Sequence, residues 1–325
     1  MEIKQTQAGI KPRPQAVVFS ARQRLLRQLW NTKLLYLLLL PGLLHLILFK
    51  LAPLFGLVIA FQDYNTFQGI RGSSWVGLDN FVTFIRDPYF LVLLKNTLLL
   101  AIYNLVFGFP VPILFALFLN EVRNMFVKRF AQSLSFFPYF ISSAVTVSIV
   151  YTFLSPQTGL VNRLMEFLGM QPVFFMAEPG WFRTLYVSLN IWHSFGYGSI
   201  IYLAAIAGID PSQYEAAEID GATRWQKMFF ITLPSLSNII VTMFILNIGS
   251  FLSVDLDKVL LMYNPSVYET ADVIQSFVYR QAFASQGFPN YSFGAAVGLF
   301  QSLVAMLLVV SANKVSKKYS ESRLF

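Results

Sequence analysis

Six stretches of this 325-residue chain are long and apolar enough to cross a lipid bilayer, and this constrains its fold more than any other feature. They run Leu34–Phe61, Leu91–Leu119, Ser133–Phe153, Leu185–Gly208, Leu236–Leu252 and Phe293–Ala312. An α-helix rises 1.5 Å per residue, so a hydrocarbon core of about 30 Å takes about 20 mostly apolar residues. The expected fold class is therefore all-α integral membrane, with six transmembrane helices. The first two stretches exceed that length and must tilt, kink or run beyond the bilayer. Pro41, Pro53, Pro110 and Pro112 are the candidate kink positions. Composition agrees, since 56% of residues are hydrophobic and 12% charged, against about 25% charged in a soluble domain. The chain has no cysteine, which excludes disulfide scaffolds, thiolate metal sites and thiol nucleophiles. Its two histidines, His45 and His193, make a histidine-rich metal site unexpected.

Lysine and arginine set the orientation. With the N-terminus inside, the head, the loops after the second and fourth spans, and the tail carry sixteen of them. The outside loops carry six: Arg71, Arg86, Arg163, Arg183, Lys258 and Arg280. Lys50 and Lys95 lie in or beside the spans. Both termini are thus expected in the cytoplasm. The net charge of +8 then records topology, and no nucleic-acid partner is needed to explain it. Residues 1–33 form a basic cytoplasmic head, and 34–325 the six-span domain. The first span has a long basic head and no small-residue cleavage site after Phe61, so it is expected to stay attached. Val18, Ala21, Leu25 and Leu29 share one helical face, which predicts a helix lying on the inner membrane surface.

The loop over 209–234 is punctuated in detail. Asp210 is a good N-cap, Pro211 suits the first helical position, and Ser212–Asp220 is rich in helix formers. Gly221 is placed to end that helix in the left-handed conformation. A second helix, Ala222–Thr232, is expected to stop at Leu233-Pro234. The product is a helix–Gly–helix hairpin displaying Glu215, Glu218 and Asp220.

Glu215-Ala216-Ala217, then Gly221, Ile231 and Leu233-Pro234, resembles the EAA motif of permease subunits in binding-protein-dependent ABC importers. The likeness covers nearly the whole chain. Tyr36–Asn65, Val76–Phe81, Asn96–Arg123 and Ser135–Ile141 resemble the sugar-importing branch, and within it the LplB-related polysaccharide permeases, an alginate importer subunit among them. The resemblance implies a type I importer fold in the inner membrane. It also implies a second permease subunit, usually different, two cytoplasmic ATPase subunits and an extracytoplasmic solute-binding protein that delivers an oligo- or polysaccharide. The hairpin would be the coupling helix, with Glu215, Ala216 and Ala217 in a cleft of the ATPase and Gly221 permitting the turn. The chain lacks G-x-x-x-x-G-K-[ST], so ATP and Mg²⁺ are expected on the partner ATPase. This chain would be a transport subunit without a cofactor of its own.

Polar residues within spans point to a pathway or to interhelical bonding. In the fourth span Asn190, His193, Ser194 and Tyr197 fall on one helical face, with Trp192 and Tyr202 as aromatics for sugar rings. Asn247 and Ser250 in the fifth span, Gln301 in the sixth, and Asn96, Tyr103 and Asn104 in the second are further candidates. Gly294, Gly298 and Gln301 share a face that also suits close helix packing. Lys50 either snorkels to the outer surface or meets an anionic substrate within the span. Asp255 and Asp257 form an Asp-x-Asp pair, which leaves open a membrane glycosyltransferase using a divalent metal and a sugar phosphate. A solvated loop end accounts for the same pair. A secondary transporter would not explain the hairpin.

Overall fold

The computed structural model describes Trp30 and residues 32–283 and 289–319. The amphipathic helix expected over Val18–Trp30 falls outside them, apart from its last residue. The chain divides into two compact units, Met1–Leu57 and Val58–Phe325. In the first, α1 (Lys33–Leu46) passes into a π turn (Ile47–Leu51) and the start of a 3-10 segment (Ala52–Phe61), whose last four residues belong to the second. Every side chain over 33–51 is exposed, Lys50 in the π turn included. Such a run of bare leucines is stable only where the surroundings are themselves apolar.

Early in the second unit lies a two-residue antiparallel ribbon, β1 (Gln62–Asp63) against β2 (Ser74–Trp75), the one pair of strands among the described residues. The short helix α2 (Asp79–Arg86) follows. α3 (Phe90–Tyr103), a π turn (Asn104–Gly108) and α4 (Pro110–Glu121) then make one 32-residue helical run. The prolines explain the π turns. A proline ring clashes with the carbonyl four residues back. For Pro53, Pro110 and Pro234 that carbonyl belongs to Phe49, Val106 and Phe230, each inside a π turn. The wider turn takes the strain, so the chain bends without losing its helical course.

The third and fifth spans depart from expectation. α5 (Met125–Phe136) and a 3-10 turn (Phe137–Phe140) meet α6 (Ser143–Leu154) at 106° rather than forming a straight Ser133–Phe153 rod. Ser142 restarts the helix there, its hydroxyl accepting from Val145 N at 3.4 Å. The predicted fourth span is built from α8 (Pro179–Gly198) and α9 (Ile200–Ala207), after the short α7 (Leu160–Phe167). The hairpin helices are α10 (Pro211–Ile219) and α11 (Arg224–Lys227). A π turn (Met228–Thr232) and the short helix Leu233–Ser235 lead from α11 to α12 (Ser237–Gly249) across a 57° bend. The expected stop at Leu233-Pro234 is thus carried past Pro234 by the π turn. α13 (Leu256–Met262), α14 (Tyr268–Ala271), α15 (Ile274–Ala282) and α16 (Tyr291–Tyr319) complete the unit. Among the described residues three helices are long and apolar enough to cross a membrane, or five if each bent pair counts as one. The α8–α9 segment is not among them, and it carries the Asn190–His193–Ser194 stripe in its middle.

Three apolar clusters position these helices. Leu100, Val147, Tyr186 and Val259 pack around α8, Leu117, Tyr202, Ile206 and Leu236 around α9, and Phe84, Leu93, Ile274 and Phe293 beside α16. α8 meets α5 with almost no gap: a Cβ on Gly196 would stand 2.0 Å from the Ser135 carbonyl oxygen. Only glycine fits there. Polar staples hold the segment between α12 and α16. Asn96 Nδ2 donates to the Glu269 and Asp272 carbonyls, both at 2.9 Å, and its Oδ1 accepts from Arg183 Nη2 at 2.8 Å. Asn96 therefore bonds helices together. Asp272 is fully buried, and Arg280 grips it with Nη1 at 2.7 Å and Nη2 at 2.5 Å. That carboxylate holds the Arg280 guanidinium above its ordinary range.

Candidate functional site

The α8 stripe lines a polar cavity of about 400 Å³. α8 contributes Tyr186, Asn190, His193 and Ser194, the π turn after α3 contributes Asn104, and Tyr139 comes from the 3-10 turn before α6. The opposite wall is Asn247 and Ser250 at the end of α12, and Asp255 and Lys258 of α13. A second cavity of about 280 Å³ shares Asn104, Tyr139, Asn190, Ser194 and Asn247 with the first, and continues past Pro112, Tyr197 and Tyr202. The two form successive chambers.

Lys258 organises the first chamber. Its residue is 3% exposed, and an ammonium so enclosed must find partners for all three of its N–H bonds. It finds them in Asn190 Oδ1 at 2.8 Å, Asp255 Oδ2 at 3.0 Å and His193 Nδ1 at 3.4 Å. His193 Nε2 lies 3.1 Å from the Ile141 carbonyl, which can only accept. The network therefore assigns the proton to Nε2 and leaves Nδ1 as the acceptor for Lys258. Asp255 also caps α13, Oδ1 accepting from Lys258 N at 3.2 Å, and its own N–H donates to Tyr186 Oη at 2.9 Å. In the second chamber Tyr139 and Tyr197 stack with centroids 3.9 Å apart and planes 3° from parallel.

Of the residues singled out in the sequence, Asn190, His193 and Asn247 meet in the first chamber, and Tyr197 and Tyr202 border the second. Tyr202 is 3% exposed and packs in the core with Ile113 and Leu117, so most of its ring is committed. Trp192 borders neither chamber and points to an exposed surface. Gln301 of α16 also lies off both, with its Nε2 buried and unbonded. Lys50 belongs to the first unit. Sequence reasoning missed Lys258, Tyr186 and Tyr139. The charge pattern puts Lys258 in an outside loop, although its setting, Leu256-Asp-Lys-Val-Leu-Leu-Met262, is an apolar run that marks a buried cation. The same geometry answers the Asp-x-Asp reading. The Asp255 carboxylate is engaged by Lys258 and by the α13 cap, while Asp257 stays exposed in the first turn.

The second candidate feature is the hairpin, built by local rules. Asp210 Oδ1 accepts from Ser212 N at 3.0 Å and caps α10. That bond holds the Asp210 carboxyl below its usual range. Gly221 ends α10 with φ +78°. Ala222 N then donates to Ala217 O at 2.9 Å and Gly221 N to Glu218 O at 3.0 Å, the paired bonds of a Schellman end. Thr223 and Gln226 form a capping box that starts α11. Glu218 pairs with Lys227 across the turn, which lowers the Glu218 pKa. Tyr214 Oη meets Thr232 Oγ1 at 2.9 Å, tying α10 to the π turn. Glu215 and Ala216 stay exposed, Ala217 half-buried, and Ile219 stands out at 88% exposure. Ile231 and Leu233 are half-buried, and Pro234 is exposed.

Apolar helices around a polar two-chambered cavity, with a rigid hairpin carried outside them, define a membrane transport component. Residues 108–318 match the family of binding-protein-dependent transport system inner membrane components. The chain belongs to that family. It is 44% identical over 97% of its length to the polygalacturonan/rhamnogalacturonan transport system permease protein YteP of Bacillus subtilis (strain 168), covering 98% of that protein. It is 43% identical to protein LplB of the same organism over 90% of this chain and 91% of that one. A solved bacterial alginate ABC transporter, in complex with alginate pentasaccharide-bound periplasmic protein, superposes with TM-score 0.83 at 38% identity. The match covers 93% of this chain and 100% of that one.

Proposed function

We propose that this chain is one permease subunit of an ATP-driven importer that moves oligo- or polysaccharides, acidic ones included, into the cytoplasm. The observation that carries this is the near full-length similarity to permeases named for polygalacturonan and alginate transport. The polar cavity supplies what such a role needs inside an apolar bundle. In this reading six spans place both termini and the hairpin in the cytoplasm, and both chambers lie on the sugar pathway. A second permease completes the membrane part, and an extracytoplasmic binding protein delivers the sugar. Two ATPase subunits, holding ATP and Mg²⁺, receive the hairpin through Glu215, Ala216, Ala217 and the exposed Ile219. Ile231, Leu233 and Pro234 set the angle at which it leaves α12.

Transport by the reconstituted complex, offered a panel of oligosaccharides, tests the proposal. Asn190→Ala and Tyr197→Ala are expected to lower uptake of the cognate sugar in complexes shown to assemble. Removing the Asn190 amide leaves the buried Lys258 ammonium one acceptor short, at a cost of about 1–3 kcal/mol, and strips a polar group from the chamber wall. Wild-type uptake by both variants would move the pathway off this stripe.

Topology is tested separately. Single cysteines in this cysteine-free chain report which side they occupy. A membrane-impermeant thiol reagent applied to intact cells should label Cys at 79 and 166, both exposed positions, and spare Cys at 218. Labelling at 218 without permeabilisation would invert the assignment.

A further inference from the structure

We propose that the Lys258 ammonium reads a carboxylate on the transported sugar, and that Asp255 is the stand-in carboxylate it holds until that sugar arrives. The inference rests on taking the chambers as the sugar pathway, and goes beyond it by naming the recognising atoms.

Among the described residues lining either chamber, Lys258 is the one lysine or arginine. The two members of its ion pair are not equivalent. The Lys258 side chain is 4% exposed and fixed by the core around α13, whereas the Asp255 side chain is 37% exposed and can swing into the chamber water. A buried ammonium stripped of its counter-charge is strongly disfavoured. Asp255 can therefore leave only as another carboxylate takes its place. A sugar hydroxyl would replace a charge-assisted bond with a weaker neutral one. The remaining N–H bonds of Lys258 stay satisfied throughout, because Asn190 Oδ1 and His193 Nδ1 hold them. At the ammonium one acceptor is exchanged for one acceptor, and the α13 cap from Asp255 Oδ1 is the further bond that the swing gives up. The site thereby admits a carboxylate readily and a neutral ring poorly, and polyuronides carry a carboxylate on each ring. Asp255 keeps the chamber neutral between substrates, so an empty pathway does not trap stray anions.

The test uses the complete complex in liposomes with one loaded binding protein throughout. Uptake of an oligogalacturonate is compared with uptake of its methyl ester, which has the same rings and no charge. Lys258→Met should lower the acid-to-ester uptake ratio by about tenfold or more, the loss of a charge-assisted contact. Asp255→Asn keeps an N-cap for α13, removes the competing charge and should raise that ratio by lowering the KM for the acid. Equal changes for both sugars in both variants, or a lowered ratio in Asp255→Asn, would overturn the proposal. Where Lys258→Met does not assemble, the direction seen with Asp255→Asn decides. If the unaltered complex hydrolyses ATP in response to its binding protein yet imports neither sugar, the saccharide reading fails first and this one with it.

Discussion

Gly221→Val should leave the complex assembled and its ATPase running while transport falls to background. At φ +78° the residue sits where a Cβ costs about 1–2 kcal/mol, and a β-branched side chain more. No atom lies within 4 Å of the place a Cβ would take, so the effect comes from backbone conformation and not from a clash. The helix end at Ala217–Ala222 would unwind, and α10 would no longer present Glu215 and Ile219 at a fixed angle to α12. Gly221→Asn is the matching control. Asparagine tolerates this region, so it should retain most transport. The measurement is sugar uptake and ATP hydrolysis on the same proteoliposomes. Normal uptake by Gly221→Val would show that the turn does not couple the two.

The largest stability effect is expected at Arg280→Leu. Asp272 is fully buried and would keep only the Ser276 hydroxyl at 2.5 Å once the guanidinium is gone. Breaking a buried pair by removing one partner costs about 3–5 kcal/mol. The thermal unfolding midpoint of the detergent-solubilised protein should drop accordingly. Removing both charges, as Asp272→Leu with Arg280→Leu, should restore much of it, since the unpaired charge is what costs. Lys227→Leu offers a contrast. Its partner Glu218 is 65% exposed and stays solvated, so the midpoint should hardly move. A drop with Lys227→Leu as large as with Arg280→Leu would contradict this account of burial.

The hairpin was legible because its signals are local. Asp210, Pro211 and Gly221 each act on the backbone within a turn of themselves, and the structure follows them closely. The bends at Ile141–Ser142 and Leu236 were not legible, because a hydropathy window records how apolar a stretch is and is blind to its direction. The capping residue Ser142 was there to be read, hidden inside an apolar run. The cavity was half legible. Helical periodicity placed Asn190, His193 and Tyr197 on one face of α8. It could not supply the opposing wall, because Lys258 lies 65 residues from His193 and meets it only through tertiary packing. Trp192 and Gln301 show the opposite error, polar or aromatic chemistry without the right direction.

The contact between Gly196 and Ser135 has a mechanical consequence. Backbone touches backbone there, with no side chain to yield. Two further fastenings join the same elements, the His193–Ile141 bond and the Tyr139–Tyr197 stack. Three rivets along one seam hold α8 to the segment from α5 to the start of α6 and oppose sliding between them. They form the fixed jaw of the chamber. Lys258 belongs to that jaw, because Val259 and Met262 of α13 pack with Val147 of α6 and with Tyr186 and Leu189 of α8, whereas Asn247 faces it from α12 across the chamber. On the proposed reading, a chamber that opens first to one side and then to the other has its travelling jaw on α12, the helix into which the hairpin leads.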